Sequence, residues 1–159
     1  MTVVQLASIF VYGLIAFWYG APILKKLGRA DALIALMWFH VFRYVVLYLF
    51  KAQHEGYAIT DIAAMEIVVG DLAGAGIAIV AITLLRMRVR LGIALAWLLI
   101  LESVTDMAVG IYQRSIDPPK GEPFGVWWLV FNFFAPLILV SLPLMVWQLY
   151  SRRKEPLAA

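Results

Sequence analysis

Residues 32–50 read ALIALMWFHVFRYVVLYLF, an apolar run interrupted near its middle by His40 and Arg43. The hydrocarbon core of a bilayer takes about 20 consecutive apolar residues of α-helix, and this run is long enough to span it. An imidazole and a guanidinium at that depth need partners, because an ionisable group near the bilayer centre costs about 2.5–3.5 kcal/mol even on insertion scales.

Working outward, the whole chain has the same character. It is 159 residues long, 64% hydrophobic and 14% charged, with a mean hydropathy of +0.90. A soluble domain is about half apolar and about a quarter charged. The expectation is an all-α, polytopic membrane protein, a single transmembrane domain over 1–159. Five apolar segments fall near 3–23, 32–51, 61–85, 91–112 and 125–150. They are far too long for barrel strands, so they read as a five-helix transmembrane bundle. The first segment lacks a basic leader and reads as a retained helix rather than a signal peptide. Cysteine is absent, which removes disulfides, thiolate metal sites and a cysteine nucleophile from consideration.

The connections are short. The last, QRSIDPPKGEPFG, holds Pro118, Pro119, Gly121 and Pro123 and reads as a turn-rich loop. Lys25, Lys26, Arg29, Arg86, Arg88, Arg90, Arg152, Arg153 and Lys154 fall on one side; Lys51, Arg114 and Lys120 fall on the other. The positive-inside rule then predicts an external N-terminus and a cytoplasmic C-terminus; a bacterial inner membrane is a separate expectation. The net charge of +3 comes from these helix-end residues and is no sign of nucleic-acid binding.

Seven polar residues lie inside the spans: His40, Arg43, Glu66, Asp71, Glu102, Asp106 and Asn132. At about 1.5 Å per residue, His40, Asp71 and Glu102 sit near mid-depth and the others toward the external side. The expectation is one polar cavity in that half. His40, Arg43 and Tyr44 are spaced to share a face of the second helix, and Glu102 and Asp106 to stack on the fourth. Glu66 and Asp71 are about 140° apart around the third, which puts Glu66 at an outer rim. Arg43 is expected to pair with carboxylates of the third and fourth helices, and His40 with Asp71 or Glu102. Gly70 and Gly74 have the spacing that lets helices approach closely. Four carboxylates against one guanidinium imply protonation, a charged His40 or a bound cation. A structural ion-pair network that fixes helix register is the plain alternative.

No metal site is expected. Glu102-x-x-x-Asp106 lacks the Glu-x-x-His pattern of di-iron bundles, and His54 lies in a loop, away from His40. Whether a cofactor is bound is unknown from the sequence. Trp128, Phe131 and Phe134 are candidates for an apolar ligand wall; the remaining Trp and Tyr residues read mostly as interfacial belts.

The final segment, GEPFGVWWLVFNFFAPLILVSLPLMV, resembles the last helix of the emopamil-binding-protein (EXPERA) family. That family also places a His on one helix, acids on the next two and an Asn on the last, here matching His40, Asp71, Asp106 and Asn132. The resemblance implies a helical bundle around an amphiphilic cavity that binds sterols or cationic amphiphiles. In some members it also implies a ring double-bond shift by protonation and deprotonation, which would make His40, Asp71 and Asp106 catalytic candidates. The chain departs from the pattern at Tyr44, where isomerase members carry a carboxylate, and at Ala135, where the family favours Trp. The pairing HVFR … GDLAG also looks like that of small bacterial membrane proteins.

Three readings follow. One is a binder of a hydrophobic or amphiphilic small molecule, in contact with membrane lipids. In it His40, Arg43, Tyr44, Glu66, Asp71, Glu102, Asp106, Trp128 and Asn132 form the site. The others are an accessory subunit of a larger membrane complex and a proton- or cation-coupled small carrier. A homodimer or a larger membrane complex is the expected assembly, and a lone homodimer would count against the accessory subunit.

Overall fold

The computed structural model describes residues 2–116 and 123–157. Lys120 and most of the turn-rich loop, with Pro118, Pro119 and Gly121, lie outside the described residues. Among the described residues five helices are long and apolar enough to cross a membrane: α1 (Val3–Lys26), α2 (Arg29–His54), α3 (Asp61–Arg86), α4 (Leu91–Ile116) and α5 (Gly125–Ser151). Among the described residues no strand forms.

The helices start where local chemistry starts them. Thr2 caps α1, its hydroxyl accepting from the Gln5 amide while the Gln5 side chain accepts from the Thr2 N–H, a capping box. Thr60 caps α3 more simply, its hydroxyl accepting from the Ala63 backbone N–H. The second helix begins at Arg29, three residues before the expected 32. Gly28 is extended and ends the break between α1 and α2. Glu155, from beyond α5, then accepts the Arg29 backbone N–H at 3.2 Å. A carboxylate at a helix N-terminus is favoured by the helix dipole.

α2 is the hub, packing on α3 and α5; α4 packs mainly on α3 and touches α5, and α1 leans chiefly on α5. Small side chains hold the α2–α3 seam close: Ala75, Ala78 and Ala81 of α3 and Ala32 of α2 are all buried. Two apolar clusters fill the bundle. One, toward the basic ends of the helices, includes Leu33, Met37, Leu85, Leu99 and Met145. The other, toward the N-terminal end, includes Val46, Leu49, Val68 and Trp127. His40, Arg43 and Asp71 lie in the interval between them along α2 and α3.

α1 and α5 share an unusual local feature. Each contains a π-helical turn, Ala16–Gly20 and Val130–Phe134. Each turn is followed at once by Ala-Pro: Ala21-Pro22 and Ala135-Pro136. In each, the alanine N–H bonds a carbonyl five residues back. The next donor in that series is proline, which has none. In α5 the Phe131 carbonyl instead receives the Gln5 amide of α1 at 3.0 Å. The wide turn thus converts a proline defect into an interhelical hydrogen bond.

At the basic end, residues 152–157 fold back as a strap. The buried Arg29 guanidinium donates to the carbonyls of Leu149 at 3.0 Å and Arg153 at 3.4 Å. Arg152 grips Glu155 with Nε and Nη2 and gives Nη1 to the Leu24 carbonyl. Leu157 packs on the adjoining apolar cluster.

Candidate functional site

Arg43 is the centre of the polar layer. Its Nε donates to Asp71 at 2.6 Å. Nη1 donates to Glu102 at 2.7 Å and to the Ser103 hydroxyl at 2.9 Å. Nη2 donates to Asp106 at 2.8 Å and to Glu102 at 3.3 Å. All five N–H groups of the guanidinium are therefore used. Three helices meet on one side chain, with the bidentate contact to Glu102 fixing its plane.

Burial grades outward from this centre. The Arg43 side chain is 3% exposed, while Asp71, Glu102 and Asp106 are 25%, 16% and 28% exposed. With every carboxyl ionised, the cluster carries two more negative charges than positive ones.

The glycines of α3 make the space for it. A Cβ on Gly70 would stand 2.0 Å from Asp106 Oδ1, and one on Gly74 would stand 2.0 Å from Arg43 Nη1 and 2.7 Å from Glu102 Oε2. The spacing expected to admit a neighbouring helix instead admits the ends of three charged side chains.

The other candidates stand apart. His40 is fully buried and bonds Ser141 of α5, Nε2 to Oγ, at 3.0 Å; the expected partners Asp71 and Glu102 are held by Arg43. Tyr44 does not share the face of His40 and Arg43: it is 49% exposed. The cause is a 3-10 segment, Phe42–Leu47. Its rotation of about 120° per residue, against about 100° in an α-helix, swings position 44 away from His40. Glu66 is exposed and accepts from Gln113 of α4 at 2.8 Å. Asn132 is buried at the α1–α5 seam, where Oδ1 accepts from Thr2 at 2.6 Å and Nδ2 donates to the Trp128 carbonyl at 3.0 Å. The Trp128 ring packs edge-on against Phe133 at 5.7 Å.

Beside the cluster, an open groove of about 670 Å³ runs between α3 and α4, lined by Ile62, Met65, Val69, Gly70 and Val109 with Asp61 and Glu66. Its wall is apolar and its charged groups are both carboxylates. It meets the cluster at Gly70, under Asp106. A smaller groove is lined by Tyr12, Val45, Phe133 and Phe134 among others, and Trp128 is not part of it. Among the described residues, no group of three or more His, Cys, Asp and Glu is placed to hold a metal ion.

Ser103 and Ser141 were not among the sequence candidates. Each is a serine in an apolar stretch of helix, and its value is visible only once its partner is placed.

The fold and this layer define a class: a five-helix bundle whose two apolar cores are separated by a guanidinium held by three carboxylates. The chain belongs to the family described as domain of unknown function DUF8737, which it matches over residues 1–150. No curated protein and no solved structure matches it.

Proposed function

We propose that this protein is a multi-pass membrane protein, N-terminus outside and C-terminus cytoplasmic, that binds an amphiphile with a cationic head. The observation that carries the reading is the groove between α3 and α4. It offers an apolar wall for a hydrocarbon body and only carboxylates, Asp61 and Glu66, as charged contacts. The neighbouring cluster adds negative charge of its own, which favours a cation over a neutral or anionic head. Sites of this kind combine a mostly apolar surface with a few placed polar groups.

The emopamil-binding-protein resemblance points the same way, toward sterols or cationic amphiphiles. Its isomerase version needs His40, Asp71 and Asp106 free to exchange protons with a substrate. In this arrangement Arg43 engages both acids and Ser141 engages His40, so binding is favoured over catalysis.

The test is a binding comparison on protein in neutral-lipid nanodiscs. Dodecyltrimethylammonium, dodecanol and dodecyl sulfate share one chain and differ in head charge. The expected order is cationic, neutral, anionic, and the cationic preference falls in Asp61→Asn/Glu66→Gln. Equal binding of all three probes would sink the reading.

A second reading, as a subunit of a larger membrane complex, rests on α1. Only 11% of its apolar window is buried, against 28–44% for the other four helices. Co-purification of a stoichiometric partner that is lost on substituting Phe10 and Phe17 of α1 would favour it; isolation as a lone monomer would remove it.

A further inference from the structure

We infer that His40 presents an unprotonated Nδ1 inside the bundle as a hydrogen-bond acceptor site for a neutral hydroxyl, supplied by water or by an amphiphilic alcohol. Proton counting at Ser141 and His40 leads to this acceptor, independently of the groove and of its charge preference.

A serine hydroxyl has one proton. That of Ser141 goes to the Ile138 carbonyl at 2.7 Å, which can only accept. Toward His40 the Ser141 oxygen is therefore an acceptor, and the 3.0 Å contact requires a proton on Nε2. A neutral imidazole with Nε2–H carries a bare lone pair on Nδ1. An imidazolium would need an acceptor for a second N–H, and among the described residues Nδ1 has no hydrogen-bond partner. The ring is fully buried, so bulk water does not satisfy it.

Arg43, three residues on, is a natural donor on the same face, but its five N–H groups are all given to Asp71, Glu102, Ser103 and Asp106. Nδ1 is thus an acceptor that the protein's own donors leave open. A buried acceptor without a donor is unfavourable, and a ligand hydroxyl relieves it. Burial also sets the ligand's charge: an ammonium gives up its hydration to reach a fully buried ring, at a far greater cost than a neutral O–H. The class of ligand is therefore a hydroxyl donor rather than an ammonium.

The experiment is solid-state nitrogen NMR on ring-labelled protein in bilayers. The chain has two histidines, so His54→Gln leaves His40 as the one signal. The expected spectrum has a protonated Nε2 and an unprotonated, hydrogen-bonded Nδ1. A water-proton correlation to Nδ1 in plain bilayers assigns water as the donor. A Nδ1 shift that moves only when dodecanol is added assigns an amphiphile hydroxyl. A proton on Nδ1 would overturn the inference, as would a Nδ1 signal of a free, unbonded nitrogen both with and without dodecanol. Ser141→Ala tests the lock by itself: a mixture of tautomers is expected, and an unchanged Nε2–H form would refute the role given to Ser141. If that variant fails to fold, the His54→Gln spectrum decides alone.

Discussion

The backbone of α3 at Gly74 and the guanidinium of Arg43 occupy adjoining space with no room for a methyl group between them: a Cβ would meet Nη1 at 2.0 Å. A glycine inside a helix is ordinarily a weakness, worth up to about 1 kcal/mol relative to alanine. Here the sign reverses. Gly74→Ala forces the guanidinium off Glu102 and is expected to destabilise by about 2–4 kcal/mol. Gly76, with nothing within 4 Å of its Cβ position, is the internal control. Gly76→Ala is expected to be neutral or mildly stabilising. Thermal unfolding of both variants in one detergent checks the contrast, and equal shifts would refute the close fit.

Removing the guanidinium leaves three carboxylates facing one another. Arg43→Ala is expected to cost about 3–5 kcal/mol, the range for breaking a buried ion pair from one side. Arg43→Lys keeps the charge but has three donors for five contacts. It is expected to fall between wild type and alanine. Denaturation midpoints give the order; a lysine variant as stable as wild type would show that charge alone holds the layer.

The α1–α5 seam allows a double-mutant cycle. Gln5→Leu loses the bond to the Phe131 carbonyl, at about 0.6–1.7 kcal/mol for an interhelical bond in a bilayer. Pro136→Ala restores an N–H to the series that ends at that carbonyl. In the Pro136→Ala background, Gln5→Leu is expected to cost distinctly less. Additive effects would separate the glutamine from the proline.

The strap over the basic end is open to chemical labelling, because the chain has no cysteine of its own. Ala30 is 1% exposed beside Arg29. A cysteine at position 30 is expected to react slowly with a water-soluble maleimide. Adding Glu155→Gln, which weakens the grip of Arg152 and uncaps α2, is expected to raise the rate several-fold. The same rate in both would mean that the strap does not cover this end.

The five long apolar helices were legible because apolar run length is a property of the sequence itself, and their observed ends differ from expectation by no more than a few residues. The meeting of Arg43 with Asp71, Glu102 and Asp106 was legible in outline, since a cation inside a long apolar run needs anions at its level. What escaped depends on local winding and on third partners. Tyr44 left the polar face because a 3-10 segment replaces the α-helical turn, and residue spacing assumes the α value. His40 chose Ser141 because Arg43 had already engaged the acids, a competition that only the assembled bundle resolves. Gly70 and Gly74 announced a close approach without saying that side chains, rather than a helix backbone, make it.

The spacing of the Arg43 partners along the chain has a consequence for synthesis. Asp71, Glu102 and Asp106 follow it by 28, 59 and 63 residues. On the membrane-spanning reading, α2 leaves the ribosome with a guanidinium and no counterion. Inserted alone, it bears the full penalty of a charge in lipid, relieved in part when α3 arrives and fully only with α4. The second helix is therefore a late guest in the bilayer despite its early place in the chain. On that reading a nascent chain stopped before α4 holds α2 less firmly than the complete bundle does.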